Sequence, residues 1–494
     1  MRVRDLPRFA ARPVGAVTAV LVLVLAVTAN QYGYHRDELY FRVVGSHLAW
    51  GYVDQPPVTP LLARLGIALF GDNLVAVRIP TIICAGAIVV VGALLARELG
   101  GGTAAQTLTA VALAATPGVL VAGHVLATAT PDIVAWTLVI LFACRALLRG
   151  EPRWWLAAGL TVGIGLYNKQ LVVLLLVGLA AGLLISGPRR ELRSPWLWAG
   201  VGIAAVVGAP NLVYQATHHW PELTMSRVIA ADKGPDDRTN FLPLQLLLIG
   251  FPMAVVWIVG LVRLLRDAAW RPVRAFAWAY LVACVVTLVT GGQPYYPFGL
   301  LVFLFTAGCV VVARWAAGRR LRWAWPVAGV VVTGAVALVV ALPLVPLSSL
   351  GSTAVPALNP VVKDAVGWPV YVRQVADVVT ALPPADRAQA VLLTLNYGEA
   401  GALARYGPQY GLPAVYSGHN QLYYYGPPPD TDDVAVVVGI DQSILDRAFT
   451  SCTKAGELNN ELGVDNEEQG RSILVCHGPK QPWHLLWPEF QHYG

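Results

Sequence analysis

Charged residues are scarce in this chain of 494 residues. Lys, Arg, Asp and Glu make up 13% of the sequence, about half of what soluble domains carry, whereas hydrophobic residues make up 56%. The mean hydropathy is +0.58. This composition excludes a single soluble globular protein. Long apolar runs fill most of residues 1–346 and predict a polytopic membrane protein.

The few charges are unevenly divided along the chain. Residues 1–346 contain 27 Lys and Arg against 14 Asp and Glu, whereas residues 347–494 contain 8 and 15. Because the basic excess lies in the apolar part, the pI of about 9.0 does not indicate nucleic-acid binding. We therefore expect the lipid bilayer, and no nucleic acid, as a partner.

Cysteine is also rare, with six residues in the whole chain. Four of them lie in apolar runs, where a small hydrophobic side chain explains them. Cys452 and Cys476 lie in the polar tail, and they could form one disulfide if the tail faces an oxidising compartment.

The apolar runs predict about eleven membrane spans. Several are shorter than the 20 or so residues that cross a bilayer squarely. No small-residue cleavage site follows the first run, so we expect it to be retained as a helix. The predicted spans are 14–31, 75–96, 103–122, 131–148, 154–168, 170–186, 196–214, 241–262, 273–290, 296–313 and 323–346.

The distribution of basic residues predicts the orientation. One alternating set of loops, beginning with Arg2, Arg4, Arg8 and Arg12, contains 19 of them, whereas the opposite set, which includes residues 32–74, contains eight. The positive-inside rule then places the N-terminus in the cytoplasm. An odd number of spans places the tail outside the plasma (inner) membrane.

The tail, residues 347–494, has the pattern of a small α/β domain. Short apolar runs at 390–395 and 434–439 are bounded by turn residues, and 361–382 has helical character. Such runs are typical of buried strands alternating with helices.

Adjacent carboxylates begin the first predicted outer loop. Asp37 and Glu38 stand in Tyr34-His35-Arg36-Asp37-Glu38-Leu39-Tyr40, directly after the first span. Ionisable groups at a membrane boundary need partners or a function. Helix capping explains the pair equally well on spacing alone.

Further polar residues stand at predicted outer ends of spans. Asp54 precedes Gln55-Pro56-Pro57, where the prolines impose an extended or turn backbone. The others are Asp132, Lys169, Gln293, Tyr295 and Tyr296. Carboxylates, a lysine and tyrosines on one face suit a cavity for a lipid-linked anionic ligand.

These motifs resemble the family 39 type glycosyltransferases of the GT-C fold, which include protein O-mannosyltransferases and the lipid A aminoarabinose transferase. The most specific marks are Asp37-Glu38-Leu39-Tyr40 and Tyr52-Val53-Asp54-Gln55-Pro56-Pro57. The tail stretches 396–401 and 417–420 also look like the outer domain of bacterial members.

The resemblance implies a GT-C-like membrane domain over 1–346, with its first outer loop at 32–74, followed by an extracytoplasmic α/β domain over 347–494. It also implies transfer of a hexose or pentose from a polyprenyl-phosphate donor to an extracytoplasmic lipid, glycan or protein. Such transfer needs a base for the acceptor hydroxyl and a clamp for the departing phosphate.

The resemblance also suggests roles for single residues. Asp37 would be the base, and Glu38 and Asp54 would assist it or orient the acceptor. Asp37 and Asp54 could hold a divalent cation, Mg²⁺ or Mn²⁺. The residues expected to bind donor or substrate are Arg36, Tyr40, Gln55, Asp132, Lys169, Gln293, Tyr295 and Tyr296.

Two positions depart from the family pattern. Gln55 stands where the lipid A transferase has lysine, and Gln293 stands where many relatives have lysine. The positive charge for the donor phosphate would then come from Lys169, Arg36 or Arg238, and the sequence leaves these three open.

Other motifs have simpler explanations. His218-His219 could bind a metal, but an interfacial loop explains them better. Tyr423-Tyr424-Tyr425 could stack on a sugar or simply pack together. Gly100-Gly101-Gly102 lacks the strand and helix of a nucleotide-binding loop.

Two other functions fit the same residues. In a secondary transporter or lipid flippase, Asp37, Asp132 and Lys169 would couple ions or move the substrate, although such charges usually lie near the middle of the bilayer. Alternatively, the tail would be a carbohydrate-binding module on an inactive anchor.

Overall fold

The computed structural model describes residues 6–494, so Arg2 and Arg4 of the predicted basic N-terminus lie outside the described residues. The chain forms two compact units. The first contains the described residues up to Ala29 together with Gln55–Thr59 and Arg78–Leu342. The second contains Asn30–Asp54, Pro60–Val77 and Pro343–Gly494. Most of the first predicted outer loop therefore belongs to the same compact unit as the tail.

The described residues are mainly helical. The helices are α1 (Ala11–Thr28), α2 (Arg36–Val44), α3 (Val58–Phe70), α4 (Leu74–Glu98), α5 (Thr103–Ala114), α6 (Pro117–His124), α7 (Ala129–Arg149), α8 (Trp154–Gly165), α9 (Val172–Ser186), α10 (Pro195–Thr217), α11 (Pro221–Asp232), α12 (Gly234–Ile249), α13 (Ala254–Arg266), α14 (Ala275–Thr290), α15 (Phe298–Ala316), α16 (Ala324–Ala341), α17 (Leu347–Leu350), α18 (Val355–Leu358), α19 (Trp368–Ala381), α20 (Pro384–Ala388), α21 (Tyr397–Tyr406), α22 (Gln442–Ala448) and α23 (Trp483–Phe490). The strands are β1 (Ala390–Thr394), β2 (Val415–Ser417), β3 (Val434–Val438), β4 (Phe449–Glu457) and β5 (Ser472–Pro479).

The long apolar helices make this a multi-pass membrane protein. Within residues 6–494, six helices are long and apolar enough to cross a membrane, or eight if each of two bent pairs counts as one span. Three shorter apolar helices, α8, α9 and α14, coincide with predicted spans. The count of eleven stays a prediction.

Two predicted spans are broken rather than continuous. Residues 103–122 divide into α5 and α6, which are bent by 59°, and residues 241–262 divide into α12 and α13, bent by 100°. Pro117 begins α6 after the N-cap Thr116, and proline lacks the N–H that would continue α5. Gly250, with φ of +83°, and Pro252 lie between α12 and α13.

Small residues allow close packing of helices in the first unit. A Cβ built on Gly159 of α8 would lie 2.0 Å from the carbonyl oxygen of Gly200 on α10. A Cβ on Gly182 of α9 would lie 2.1 Å from the carbonyl oxygen of Ala275 on α14. Glycine at these contacts lets the two helix backbones approach closely. Close packing matters in a bilayer because the hydrophobic effect does not drive helices together there. The glycines in these apolar runs therefore specify helix pairs.

The tail contains a mixed five-stranded sheet with the order β2-β1-β3-β5-β4. Strand β1 pairs in parallel with both β2 and β3, and β5 is antiparallel to β3 and β4. All residues of β1 and β3 are buried, as their apolar runs predict. With α19, α21, α22 and α23, the sheet confirms the predicted α/β character of the tail.

Cys452 and Cys476 form a disulfide, as their isolation in the tail suggested. They are opposite residues of β4 and β5, with Cα atoms 4.1 Å apart. The bond therefore joins an edge strand to its neighbour.

Candidate functional site

The first carboxylates stand at the start of α2, where a capping box forms. The His35 side chain accepts a hydrogen bond from the backbone N–H of Asp37, and Glu38 accepts one from the backbone N–H of His35 at 2.8 Å. Glu38 is fully buried. This geometry gives Glu38 the capping role that spacing alone allowed, although in a buried rather than a solvated position.

Asp37 points instead towards the tail of the chain. The hydroxyl of Tyr397, the first residue of α21, donates a 2.9 Å hydrogen bond to its Oδ1 atom. The Asp37 side chain is 31% exposed, so solvent and a ligand have access to it. Sequence reasoning did not include Tyr397 among the site residues, although the stretch containing it was noted as family-like.

Asp54 has a matching tyrosine partner. The hydroxyl of Tyr40 on α2 donates a 2.9 Å hydrogen bond to Oδ1 of Asp54 and accepts one from the backbone N–H of Gln421. Burial, and to a lesser extent the charge of Asp37, raises the pKa of Asp54 to about 7. Asp54 therefore changes its protonation state near neutral pH.

The two tyrosine–carboxylate pairs are joined through their rings. The ring centroids of Tyr40 and Tyr397 lie 4.7 Å apart, with 38° between the planes. Burial raises the pKa of both hydroxyls well above the ordinary value, so both remain hydrogen-bond donors at neutral pH. We call Tyr40, Tyr397, Asp37 and Asp54 the tyrosine–aspartate cluster.

Glycines let α21 approach α2 in this unit. A Cβ on Gly398 would lie 2.9 Å from Cβ of Arg36, and one on Gly401 would lie 2.8 Å from backbone and side-chain atoms of Leu39. Asn396 and Glu399 form a capping box that begins α21. Local capping and two small residues thus position Tyr397.

Arg36 is surrounded by carboxylates. It forms an ion pair with Glu467, and its guanidinium lies 4.8 Å from the centroid of the Tyr397 ring. The charges of Asp364 and Glu468 also act on it. These carboxylates therefore neutralise the charge of Arg36.

His419 supports Tyr397 from the other side. Its Nδ1 atom accepts a hydrogen bond from the backbone N–H of Tyr397, and the His419 and His492 rings stack at 4.6 Å. Burial lowers the pKa of His419 to about 3, so the ring is neutral. The sequence signal for this residue was only its place in the family-like stretch 417–420.

The first unit contains a second group of predicted residues. Lys169 donates a 3.0 Å hydrogen bond to the hydroxyl of Tyr295, and its Nζ atom lies 5.1 and 5.0 Å from the ring centroids of Tyr295 and Tyr296. The charges of Asp132 and Lys169 act on each other. The structure therefore brings together Asp132, Lys169, Tyr295 and Tyr296.

The segment Gln55–Thr59, directly after Asp54, is held by hydrogen bonds within the first unit. The backbone N–H of Val58 donates to the carbonyl of Tyr167, and Thr59 donates to the side chain of Asn168 at 2.8 Å. Asn168 in turn donates to the carbonyl of Thr128. Gln55 is buried, and its amide nitrogen has no hydrogen-bond partner within the described residues.

Gln293 is half-buried near the lysine group, but another glutamine holds the local backbone. Gln245, which sequence reasoning missed, donates from its amide nitrogen to the carbonyl of Pro294. Its own oxygen is buried without a partner in the described part of the chain. No sequence motif marked Gln245, because it lies within an apolar helix.

The weaker motifs are explained by packing. His218 stacks on Tyr214 at 4.0 Å, and Tyr423 stacks on Trp487 at 5.7 Å. Among residues 6–494, no group of three or more His, Cys, Asp or Glu side chains is arranged to hold a metal ion. The carboxylates of Asp37 and Asp54 offer two ligands, so a cation there would need further oxygens from a bound phosphate.

The predicted site residues thus form two groups. Arg36, Asp37, Glu38, Tyr40 and Asp54 lie in the second unit, and Gln55, Asp132, Lys169, Gln293, Tyr295 and Tyr296 lie in the first. The contacts described above join the residues of the second unit to one another, and in the first unit they join Asp132, Lys169, Tyr295 and Tyr296. Their catalytic and binding roles stay predictions.

The architecture is that of a GT-C-like membrane protein with a small α/β domain, which confirms the predicted fold class. Residues 54–214 match the family model described as dolichyl-phosphate-mannose-protein mannosyltransferase. The resemblance to family 39 type glycosyltransferases is confirmed.

Similar proteins are known at the level of sequence and structure. An undecaprenyl phosphate-alpha-4-amino-4-deoxy-L-arabinose arabinosyl transferase from Pseudomonas fluorescens is 30% identical over 292 residues, which are 54% of this chain and 51% of the relative. The match thus spans about half the length of that curated relative.

The fold is similar to that of ArnT from Cupriavidus metallidurans. The structure bound to undecaprenyl phosphate has a TM-score of 0.58 and 17% identity, and the apo structure has a TM-score of 0.59 and 15% identity. Each comparison covers 94% of this chain and 98% of ArnT. At this identity the likeness describes the fold.

Proposed function

We propose that this protein is an integral membrane glycosyltransferase that moves a sugar from a polyprenyl-phosphate donor to an extracytoplasmic acceptor. The observation that carries the proposal is the hydrogen bond from Tyr397 to Asp37, since it orients a partly exposed carboxylate in the family's first-loop motif. The GT-C-like fold and the match of residues 54–214 support the same class of reaction.

Asp37 acts as the general base in this proposal. Tyr397 occupies Oδ1, and Oδ2 remains to accept the proton of the acceptor hydroxyl as its oxygen attacks the anomeric carbon. The bond between that carbon and the phosphate oxygen breaks, and the polyprenyl phosphate leaves with the electron pair. Glu38 fixes the start of α2 and thereby the direction of Asp37.

Lys169 binds the donor phosphate in the same proposal. Tyr295 fixes the ammonium group by a hydrogen bond, and the rings of Tyr295 and Tyr296 favour a cation at this point. Gln55, whose buried amide nitrogen has no partner among the described residues, would donate a further hydrogen bond to an anionic oxygen of the donor. These groups would stabilise the charge that develops on the leaving phosphate.

A divalent cation is a separate part of the proposal. As an alternative to the base role of Asp37, Asp37 and Asp54 would hold Mg²⁺ or Mn²⁺ together with phosphate oxygens of the donor. Titration of Mn²⁺ with and without an unreactive donor analogue tests this, and tight binding should need the analogue. Unchanged turnover after chelation with EDTA would remove the cation from the mechanism.

The type of sugar and the orientation are further proposals. The similarity to the arabinosyl transferase from Pseudomonas fluorescens favours a pentose of the aminoarabinose type over a hexose. We place the protein in the inner membrane, with a cytoplasmic N-terminus and an extracytoplasmic α/β domain. Labelling of Ser46→Cys, an exposed position in the same unit as the α/β domain, with a membrane-impermeant reagent in intact cells tests the orientation.

The activity itself is tested with the purified full-length protein in lipid nanodiscs. Undecaprenyl-phosphate donors carrying a pentose or a hexose are supplied with an extract of envelope acceptors, and released undecaprenyl phosphate is measured. Release that depends on Asp37 supports the enzyme. Movement of intact donor across a vesicle membrane without release would favour the lipid flippase instead.

A further inference from the structure

The three consecutive tyrosines at 423–425 are divided between the core and the surface of the second unit. Tyr423 stacks on Trp487, with ring centroids 5.7 Å apart, and packs against the core around the sheet. Tyr424 and Tyr425 are 52% and 38% exposed. Packing therefore explains the first of the three rings and leaves the other two unexplained.

The loop after α2 brings further exposed rings to the same place. His47 stacks on Tyr425, with ring centroids 4.4 Å apart. The hydroxyl of Tyr52 accepts a hydrogen bond from the backbone N–H of Ala49 and donates one to the carbonyl of His47, which closes a compact turn. Trp50 belongs to this turn and is 66% exposed. We call the exposed residues His47, Trp50, Tyr424 and Tyr425 the aromatic surface.

Hydroxyl groups lie at the edge of the aromatic surface. The hydroxyls of Tyr424 and Tyr493 form a 2.9 Å hydrogen bond, and the amide nitrogen of Gln491 donates to both, at 3.1 and 3.0 Å. These bonds fix the positions of the two phenol oxygens. A sugar ring has the complementary character, because its C–H groups pack on an aromatic face while its hydroxyls form hydrogen bonds at the edge.

The segments that build this surface lack Lys, Arg, Asp and Glu. None of these residue types occurs in residues 43–53, 411–429 or 490–493. An anionic ligand, such as a phosphate headgroup or a nucleic acid, would need cationic partners here. The composition therefore favours a neutral polar ligand.

Hydrogen bonds connect the aromatic surface to the tyrosine–aspartate cluster. Gln421 lies in the same 3₁₀ helix as Tyr425, and its backbone N–H donates to the hydroxyl of Tyr40. That hydroxyl donates in turn to Asp54. Because a 3₁₀ helix rises by about 2 Å per residue, the Cα atom of Tyr425 lies within roughly 15 Å of the Asp54 carboxylate. A short glycan chain spans this distance.

We propose that the aromatic surface binds a neutral glycan chain, with sugar rings stacking on Trp50 and Tyr425 and sugar hydroxyls forming hydrogen bonds with Tyr424. The bound glycan is the acceptor, and one of its hydroxyls reaches Asp37. The acceptor role rests on the proposed glycosyl transfer, whereas glycan binding does not require turnover. Among a lipid, a glycan and a protein, this selects the glycan as acceptor.

The test measures binding of neutral hexasaccharides of arabinose, mannose and glucose to the full-length protein in nanodiscs by isothermal titration calorimetry. Trp50→Ala and Tyr425→Ala should each raise the Kd by about 10-fold, the loss expected for an aromatic residue at the centre of an interface. Trp325→Ala, in the first unit, and Tyr410→Ala, outside the three segments, also remove exposed rings and are the matched controls. Their Kd should equal that of the parent.

Absence of binding by all three hexasaccharides, or an equal Kd in the parent and both surface variants, overturns the proposal. The rival occupant is the bilayer itself. If brominated lipid quenches the tryptophan fluorescence that is lost in Trp50→Phe, this ring lies in lipid, and the proposal is wrong.

A separate measurement distinguishes failure of the proposed glycosyl transfer. If transfer occurs, Trp50→Ala should raise the KM for the acceptor and leave kcat unchanged. Hexasaccharide binding that depends on Trp50, without release of undecaprenyl phosphate from any donor, would support the glycan surface and overturn its acceptor role.

Discussion

The Tyr397 hydroxyl donates a 2.9 Å hydrogen bond to Asp37 across 360 residues of sequence. It connects the first helix of the tail's family-like stretch to the acidic start of α2. The ring centroid of the same tyrosine lies 4.7 Å from that of Tyr40. The hydroxyl of Tyr40 in turn donates a hydrogen bond to Asp54. The orientation of both carboxylates therefore depends on aromatic side chains.

Asp37→Asn should lower turnover by about 10²–10⁴-fold, because the amide keeps the shape of the side chain but cannot accept the proton. The measurement is release of undecaprenyl phosphate from the donor. Asp377→Asn, an exposed position on α19, provides the matched control. Transfer at the parent rate by Asp37→Asn would assign the base to another residue.

Tyr397→Phe should lower kcat by about 10–100-fold, since one hydrogen bond to a carboxylate contributes roughly 1.5–3 kcal/mol. The KM for the donor should change little, because Tyr397 is placed at the acceptor side of the reaction. Steady-state kinetics separate the two constants. A rise in KM with unchanged kcat would contradict the orienting role.

The pH dependence of catalysis should follow the ionisation of Asp54, because burial raises the pKa of this carboxyl to about 7. If the ionised carboxylate is needed, kcat/KM rises with pH and levels off above about 7. This inflection should disappear in Asp54→Asn, measured over pH 5–9. A rate that is constant between pH 6 and 8 in the parent protein would show that ionised Asp54 is not required.

Lys169→Met should weaken donor binding, because it removes the cation held by Tyr295 and Tyr296. We expect the KM for the donor to rise by about 10–100-fold, the cost of a charged hydrogen bond. Lys233→Met, at an exposed position, is the control. If Arg238→Met has the larger effect, Arg238 is the phosphate-binding cation.

The stability of the folded protein should depend on pH through Glu468, because burial raises the pKa of this carboxyl to about 7. The folded protein then binds more protons than the unfolded chain between about pH 4.5 and 7, so stability falls as pH rises through this range. Glu468→Gln keeps the acceptor for Asn396 and removes the buried charge. Its Tm should exceed that of the parent by about 2–4 °C at pH 8 and match it at pH 4.

Differential scanning fluorimetry of the purified protein measures this effect. Glu489→Gln, at an exposed position on α23, provides the control for loss of a surface carboxylate. A lower Tm for Glu468→Gln at pH 8 would mean that attraction to Arg36 outweighs the cost of burial.

The features that the sequence determined are local. Apolar runs gave the positions of the membrane helices, and fully apolar runs at 390–395 and 434–439 gave the buried strands β1 and β3, because burial of a segment depends on its own side chains. The sequence also allowed a helix-capping role for Glu38, because a capping box joins residues that are three positions apart.

The tertiary structure alone decided the partners of the charged groups. Tyr397 reaches Asp37 because Gly398 and Gly401 let α21 approach α2. Glu467, from the segment between β4 and β5, neutralises Arg36. The sequence left Arg36 open as one of three candidates for the phosphate cation, since a partner 431 residues away cannot be read from spacing. Hydrogen bonds and ion pairs between distant segments form only when packing brings them within about 3 Å, and packing is a property of the whole fold.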